Sequence, residues 1–395
     1  ASMSLIFPFV MILSSLGIMM GAGGSAVVGQ LLGAGDRKGA NHAFSLIAWA
    51  TFVTGAICAV FGFIFMDNVV VLLGGSEEMV PLASVYGRIV FLSMPMFMLT
   101  YVFEMFCSVA GKPGLGFLSA LTAAVVNIGL DALLMGMFGM GIEGAATATC
   151  LAEYSSAILM IVLFARGKVG ALKLVRPCWD YRILSRSITN GVSEMVTSAA
   201  ISVVAMAYNL QLMSLFGPDG VAAYAVIEYA SMLVGAALGG LAEGMAPLMS
   251  YQHGAGNNRE KRSLFANGAT LMLLVGVSSC AVIQVLVQPL AFVFTGYDES
   301  LMALTVHAFR VYSIAFLLMG VAYFGSAMFT SVENGKISAL IAFVEIFVFE
   351  LGCVILLPMF FGADSIWWSI VVAEVAASIF TIGLLTRYSK GYGWR

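Results

Sequence analysis

Charge is what this sequence has least of. Lys, Arg, Asp and Glu make up 10% of its 395 residues, against 61% hydrophobic residues and a mean hydropathy of +1.00. A water-soluble domain carries about a quarter charged residues, so a soluble globular fold is excluded. Basic side chains are missing from the middle of every apolar run, and no nucleic-acid partner is expected. The 6 cysteines show no CxxC or CxxH spacing, so neither a disulfide framework nor a zinc site is implied. There is no Walker loop, no strand-linked dinucleotide fingerprint, no HExxH and no nucleophile elbow. No enzyme and no cofactor are therefore expected, and any transport must draw on an ion gradient. Met3–Leu32 lacks a basic n-region and runs too long for a signal peptide.

Apolar helix is what the sequence has in quantity. Crossing a bilayer takes roughly 20 apolar residues. Eleven segments qualify, near 3–32, 42–66, 82–110, 114–138, 143–165, 187–216, 220–250, 264–294, 302–331, 337–361 and 366–387. The fold class is an all-α polytopic membrane protein with the lipid bilayer as its surroundings. When the loops are assigned to alternate sides, all but two of the 18 Lys and Arg fall on one side. Arg88 and Arg310 fall on the other, with Asp67, Glu77, Glu78 and Asp298. The positive-inside rule makes the first side cytoplasmic, and the C-terminus lies there. A bacterial inner membrane is the expected location and a monomer the expected state.

One stretch returns. Residues 21–41, GAGGSAVVGQLLGAGDRKGAN, are echoed by AEGMAPLMSYQHGAGNN over 242–258. A shift of 221 carries Gly33-Ala34-Gly35 onto Gly254-Ala255-Gly256, Gly75 onto Gly296 and Glu78 onto Glu299. One extra residue matches Arg88 with Arg310, and further drift matches Gly111-Lys112 with Gly335-Lys336. Two copies of one unit follow: an N-terminal lobe over 1–166 with five visible helices, a basic connector over 167–186, and a C-terminal lobe of six helices over 187–395. The second copy opens with a helix that the first lacks, so a twelfth span ahead of Ala1 is expected. Two pseudo-symmetric six-helix lobes result, with the repeats parallel.

The informative residues are carboxylates at membrane depth: Glu104, Asp131, Glu153, Glu194, Glu228, Glu243, Glu345, Glu350 and Glu374. A charge at the bilayer centre costs roughly 2.5–3.5 kcal/mol on insertion scales, so it faces a polar interior and has a task. An acidic interior without bases attracts cations: protons, Na⁺ or organic cations. Asn127 and Asp131, four residues apart, share a helical face. With the hydroxyl of Thr149 from the next helix they make a hard oxygen set suited to Na⁺ or a shuttled proton; the alternative is that they only bond neighbouring helices. Glu194 opens the first helix of the second copy, with Ser198, Ser202 and Asn209 on its face and Tyr208 beside them, the pattern of a water-facing cavity wall. Glu228, flanked by Tyr224, Tyr229 and Met232, reads as a substrate-cation contact. Glu345 and Glu350 are five apart and are not expected to share one face, so at most one of them lines a cavity. The substrate-binding candidates are Glu228, Tyr208, Asn209, Tyr229, Met232 and Glu345. The 25 Met and 28 Phe suit a promiscuous cavity for amphipathic cations as well as they suit ordinary packing.

Gly23-Gly24-Ser25 followed by Leu31-Leu32-Gly33-Ala34-Gly35-Asp36, and the echo Gly244-Met245-Ala246-Pro247 with Tyr251-Gln252-His253-Gly254-Ala255, resemble the second-helix motif of multidrug and toxin extrusion (MATE) transporters and its second-half counterpart. The Asn127–Asp131 run, Gly141–Thr149, and Trp367 with Glu374 are similar to other motifs of that family. The resemblance implies two lobes around a central cavity open to one side at a time, and efflux of cationic amphipathic compounds in exchange for H⁺ or Na⁺. It implies a coupling-cation site at Asn127, Asp131 and Thr149, completed by an Asp on the absent first helix, and an acidic residue early in the seventh helix, here Glu194. A lipid or lipid-linked oligosaccharide flippase of related design is the alternative, but its cavity should be basic. An ion channel fits the six-plus-six symmetry poorly.

Overall fold

The computed structural model describes residues 2–72 and 80–394. Gly75, Glu77 and Glu78, which entered the repeat and the charge count, lie outside them, as does the side chain of Ser202. Among the described residues there is no strand; a single bridge joins Val169 and Leu172. A segment inside lipid must pair every backbone N–H and C=O within itself, and helices do so.

The helices are α1 (Ser2–Gly33), α2 (Arg37–Leu72), α3 (Val80–Val109), α4 (Pro113–Asp131), α5 (Gly141–Ala165), α6 (Tyr181–Gly254), α7 (Asn258–Thr295), α8 (Glu299–Tyr312), α9 (Phe316–Ser331), α10 (Gly335–Phe343), α11 (Leu351–Phe361) and α12 (Ser369–Tyr392). A π-helical turn, Ala132–Met137, follows α4, and another, Val344–Glu350, joins α10 to α11. Among the described residues ten continuous helical stretches are long and apolar enough to cross a membrane. The tenfold count hides an eleventh. As one straight rod the 74 residues of α6 would reach about 110 Å at about 1.5 Å per residue, far beyond a hydrocarbon core of about 30 Å. The rod breaks at Gly217, whose φ of 66° and ψ of −152° suit glycine alone, and Pro218 follows without an N–H to give. Tyr208 before the break stacks on Tyr224 after it, with ring centroids 4.7 Å apart, so the two halves fold back on each other. The spans read at 187–216 and 220–250 are these halves.

The chain forms two compact units, Ala1–Ser198 with Gly254–Gly256, and Ala199–His253 with Asn257–Arg395. In the first, α3 is the central helix, packed by α1, α2, α4 and α5. Gly55 makes the α2–α3 approach possible: a Cβ there would stand 2.5 Å from Cα of Pro95. Phe44, Phe103, Phe106 and Phe164 fill its core with centroid separations of 4.7 to 6.2 Å. The connector lies against this unit. Its Lys173 N–H donates to Asn41 Oδ1 (2.9 Å), its Val175 N–H to Ser45 Oγ (2.9 Å), and its Leu174 N–H to the Phe164 carbonyl (3.2 Å). In the second unit α9 is central, packed by α7, α10 and α12, over a core that includes Phe309, Phe316, Phe329 and Trp367.

The repeat has a local physical basis. Each Gly-Ala-Gly motif ends a helix with a left-handed glycine, Gly35 at φ 83° and Gly256 at φ 68°. Each then caps the next helix with an Asx side chain: Asp36 Oδ1 accepts from the Gly39 N–H (2.8 Å), and Asn257 Oδ1 from the Glu260 N–H (3.2 Å). The match of Gly111-Lys112 with Gly335-Lys336 is corrected by two residues. The left-handed residue after α3 is Gly111 (φ 76°), and its counterpart after α9 is Glu333 (φ 58°), so Lys112 and Asn334 hold equivalent positions. The register of the Arg88–Arg310 pair thus continues without further drift.

Candidate cation sites

In the first unit α4 and α5 bring Asn127 and Thr149 together: Asn127 Nδ2 lies 3.4 Å from Thr149 Oγ1, and that hydroxyl donates back to the Ala145 carbonyl (3.1 Å). Asp131, one turn beyond Asn127, sits where the backbone changes from α to π. π-turns widen the helix and recur at functional positions. Its Oδ1 is buried and has no hydrogen-bond partner. Tyr86 of α3 lies within electrostatic reach of Asp131. A second acidic pair stands between α3 and α5: Glu104 and Glu153 are in electrostatic contact, the Thr100 hydroxyl approaches Glu153, and Glu153 Oε2 is buried without a partner. Glu194 is half-buried in the first half of α6, three residues after Gly191, where a Cβ would collide with the Met19 carbonyl of α1.

The second unit separates the substrate candidates into two groups. Glu228, Tyr229, Met232 and Asn209 are exposed, Tyr229 at 68% and Met232 at 72%, whereas Tyr208 is fully buried. Tyr208 and Asn209, read as one stripe, therefore face different surroundings. Glu345 and Glu350 lie in the Val344–Glu350 π-turn. The expectation that they cannot share a face assumed an α-helical period, whereas a π-turn brings residues five apart toward one side. Sequence reasoning missed Tyr86 and Tyr312. The only signal was an amphipathic phenol inside an otherwise apolar run. An apolar cavity of about 370 Å³, walled by Met272, Phe324, Leu385 and Trp394, contains none of the predicted residues. Among the described residues no group of His, Cys, Asp and Glu has the geometry of a multivalent metal centre.

The MatE family model matches this chain over residues 1–133 and 195–355, one stretch on each side of the connector. The chain belongs to the MatE family. The matched stretches of this MatE chain include Asn127, Asp131, Glu228, Glu345 and Glu350. Multidrug export protein MepA of Staphylococcus aureus (strain MSSA476) is 25% identical over 386 residues, covering 95% of this chain and 82% of that protein. MepA of Staphylococcus saprophyticus is 24% identical over 391 residues, covering 96% and 83%. Two solved structures share the fold at 19% identity, each covering 99% of this chain and 88% of the other. One is a MATE protein in the straight conformation, with a TM-score of 0.94. The other is an outward-facing multidrug resistance MATE family transporter, with a TM-score of 0.93. This MatE chain is thus a multi-pass integral membrane protein of a transporter family.

Proposed function

We propose that this chain exports amphipathic organic cations, drugs among them, in exchange for H⁺ or Na⁺, by alternating access of two lobes divided by the 167–186 connector. The observation that carries the reading is the orphaned Oδ1 of Asp131 beside the Asn127–Thr149 pair. A buried polar atom left unpaired costs about 1–3 kcal/mol, and more when charged, so it calls for a cation that comes and goes. The relatives' name, multidrug export protein, supports the drug class. In this reading Asn127, Asp131 and Thr149 hold the coupling ion, Na⁺ included, and Glu194 assists. Glu228, Tyr229, Met232 and Asn209 meet the substrate, with Tyr208 and Glu345 behind them. The ion and the drug must each favour a different state, because a ligand shifts an equilibrium only through differential affinity. The protein works as a monomer in a bacterial plasma membrane with its C-terminus in the cytoplasm.

The test is efflux of an ethidium-like dye from proteoliposomes with ΔpH and ΔNa⁺ imposed separately. One gradient is expected to drive transport and thereby name the ion. If neither does, the antiporter reading fails and flipping of a fluorescent lipid becomes the assay to run.

A further inference from the structure

The two copies differ at one charged pair. In the first unit Arg88 of α3 forms an ion pair with Asp67 of α2, Nη2 to Oδ2 at 2.7 Å. The repeat carries Arg88 onto Arg310 of α8, and the shift of 221 carries Asp67 onto Gln288 of α7. Packing fixes that register. Gly55 of α2 abuts Pro95, and Gly276 of α7, its counterpart at the same shift, abuts Phe316; a Cβ on either would stand 2.5 Å from that neighbour's backbone. Met66 and Val70 are buried in the first unit, and their counterparts Val287 and Ala291 are buried in the second. Arg310 therefore has the guanidinium without the counter-ion. Among the described residues its side chain makes no ion pair, and Gln288 has no charge to offer.

A cleft of about 440 Å³ takes the place of the pair, lined by Gln288 of α7 and by Glu299, Met302, Val306, His307 and Arg310 of α8. Its foot is firm: Gln284 Nε2, one turn before Gln288, donates to the Arg310 carbonyl (2.8 Å) and to Ser313 Oγ (2.9 Å). His307 Nε2 lies 2.8 Å from Asp364 Oδ1, which ties α8 to the segment before α12. Val285 and Phe292, three residues before Gln288 and four after it, share its helical face and are 77% and 64% exposed. Lipid chains therefore cover the α7 side of the mouth. A guanidinium at membrane depth is costly unless water or a headgroup reaches it. Arginine meets phosphate through paired, charge-assisted hydrogen bonds, and basic pockets between spans take lipid headgroups. Glu299 lies three turns before Arg310 on the same helix, so one end of the cleft is cationic and the other anionic. We infer that the cleft binds the headgroup of a zwitterionic phospholipid with a free ammonium. The phosphate meets Arg310 and Gln288, the ammonium meets Glu299, and an acyl chain lies against Met302 and Val306. The site goes beyond the efflux reading and uses none of its residues.

The test titrates the purified full chain in detergent with short-chain phosphatidylethanolamine, followed by native mass spectrometry. The matching phosphatidylglycerol and inorganic phosphate serve as comparison probes. Saturable binding of the ethanolamine lipid is expected. Arg310→Gln should weaken it by roughly 10–100-fold, and Arg310→Lys, which keeps the charge but not the fork, by less. Gln288→Asp rebuilds the internal ion pair of the first unit, so it should weaken lipid binding as much as Arg310→Gln does while leaving the melting temperature unchanged or higher. A merely structural role for Arg310 would not produce that split. Phosphatidylglycerol, which brings no ammonium, should bind more weakly, and Glu299→Gln should close the gap between the two lipids. Should Arg310→Gln not fold, as judged by gel filtration, Gln288→Asp decides. Unchanged lipid affinity in both variants would mean that Arg310 only reaches up to interfacial water, and would overturn the inference. Displacement of the lipid by inorganic phosphate at equal concentration would overturn the lipid assignment, and equal affinity for the two lipids would overturn the role of Glu299. Dye efflux enters none of these readouts, so the two readings fail separately.

Discussion

Asp131 and Gly55 illustrate how differently single residues act in this chain. The inner oxygen of the Asp131 carboxylate is buried without a hydrogen-bond partner, so it adds no hydrogen bond to the fold. Asp131→Asn is therefore expected to reduce coupled efflux to background while changing stability by no more than about 1 kcal/mol. Dye efflux and a thermal-shift assay on the same preparation check both halves. Gly55 is the reverse case. A methyl group there meets the α3 backbone at Pro95, so Gly55→Ala should cost about 1–3 kcal/mol through overpacking. Gly240→Ala, with nothing within 4 Å, should be neutral or stabilise by up to about 1 kcal/mol from helix propensity. The carboxylates were legible in the sequence because charge is rare in it. The phenols around them were not, because nothing in one sequence says which of 13 tyrosines turns inward.

At the level of the helix, the apolar runs foretold nearly every element, since length and hydropathy alone define a span. What they could not foretell was winding. The π-turns at Ala132–Met137 and Val344–Glu350 leave no mark on a hydrophobic run, and the expectation about Glu345 and Glu350 assumed an α-helical period for that reason. Caps follow local side-chain chemistry instead. Asp298 accepts from the Leu301 and Ser300 N–H groups and the Ser300 hydroxyl at the start of α8. The Leu301 N–H foremost, then the Ser300 hydroxyl and N–H, hold its carboxyl below the usual aspartate range. A depressed value means the cap contributes in full above the ordinary aspartate pKa of about 3.9 and is lost as pH falls through the lower folded value. Amide exchange at Ser300 and Leu301, corrected for intrinsic rate, should therefore stay protected from neutral pH to about pH 4. Asp298→Ala should lower that protection throughout this range and cease to differ from the wild type once the wild-type carboxyl is protonated.

At the level of the whole chain, the internal echo announced duplication, and its register holds where turn chemistry fixes it. It slipped at Gly111 because the second copy places the left-handed position on Glu333, which no residue-type match would align. The division between the compact units was also hidden: it falls within α6, after Ser198, whereas composition changes at the connector.

The pinned connector has a consequence for protease digestion. Lys168 and Lys173 offer trypsin two sites on a segment rich in exposed residues, whereas Arg176 precedes Pro177 and is not cut. A protease must draw several residues into its cleft in extended, unpaired form, so cleavage follows local opening rather than exposure. With the N–H groups of Lys173, Leu174 and Val175 all engaged by the first unit, the native chain should resist nicking between its halves. Asn41→Ala together with Ser45→Ala should release two of those bonds and turn the connector into the first site cut, yielding two fragments on a denaturing gel before any other band appears.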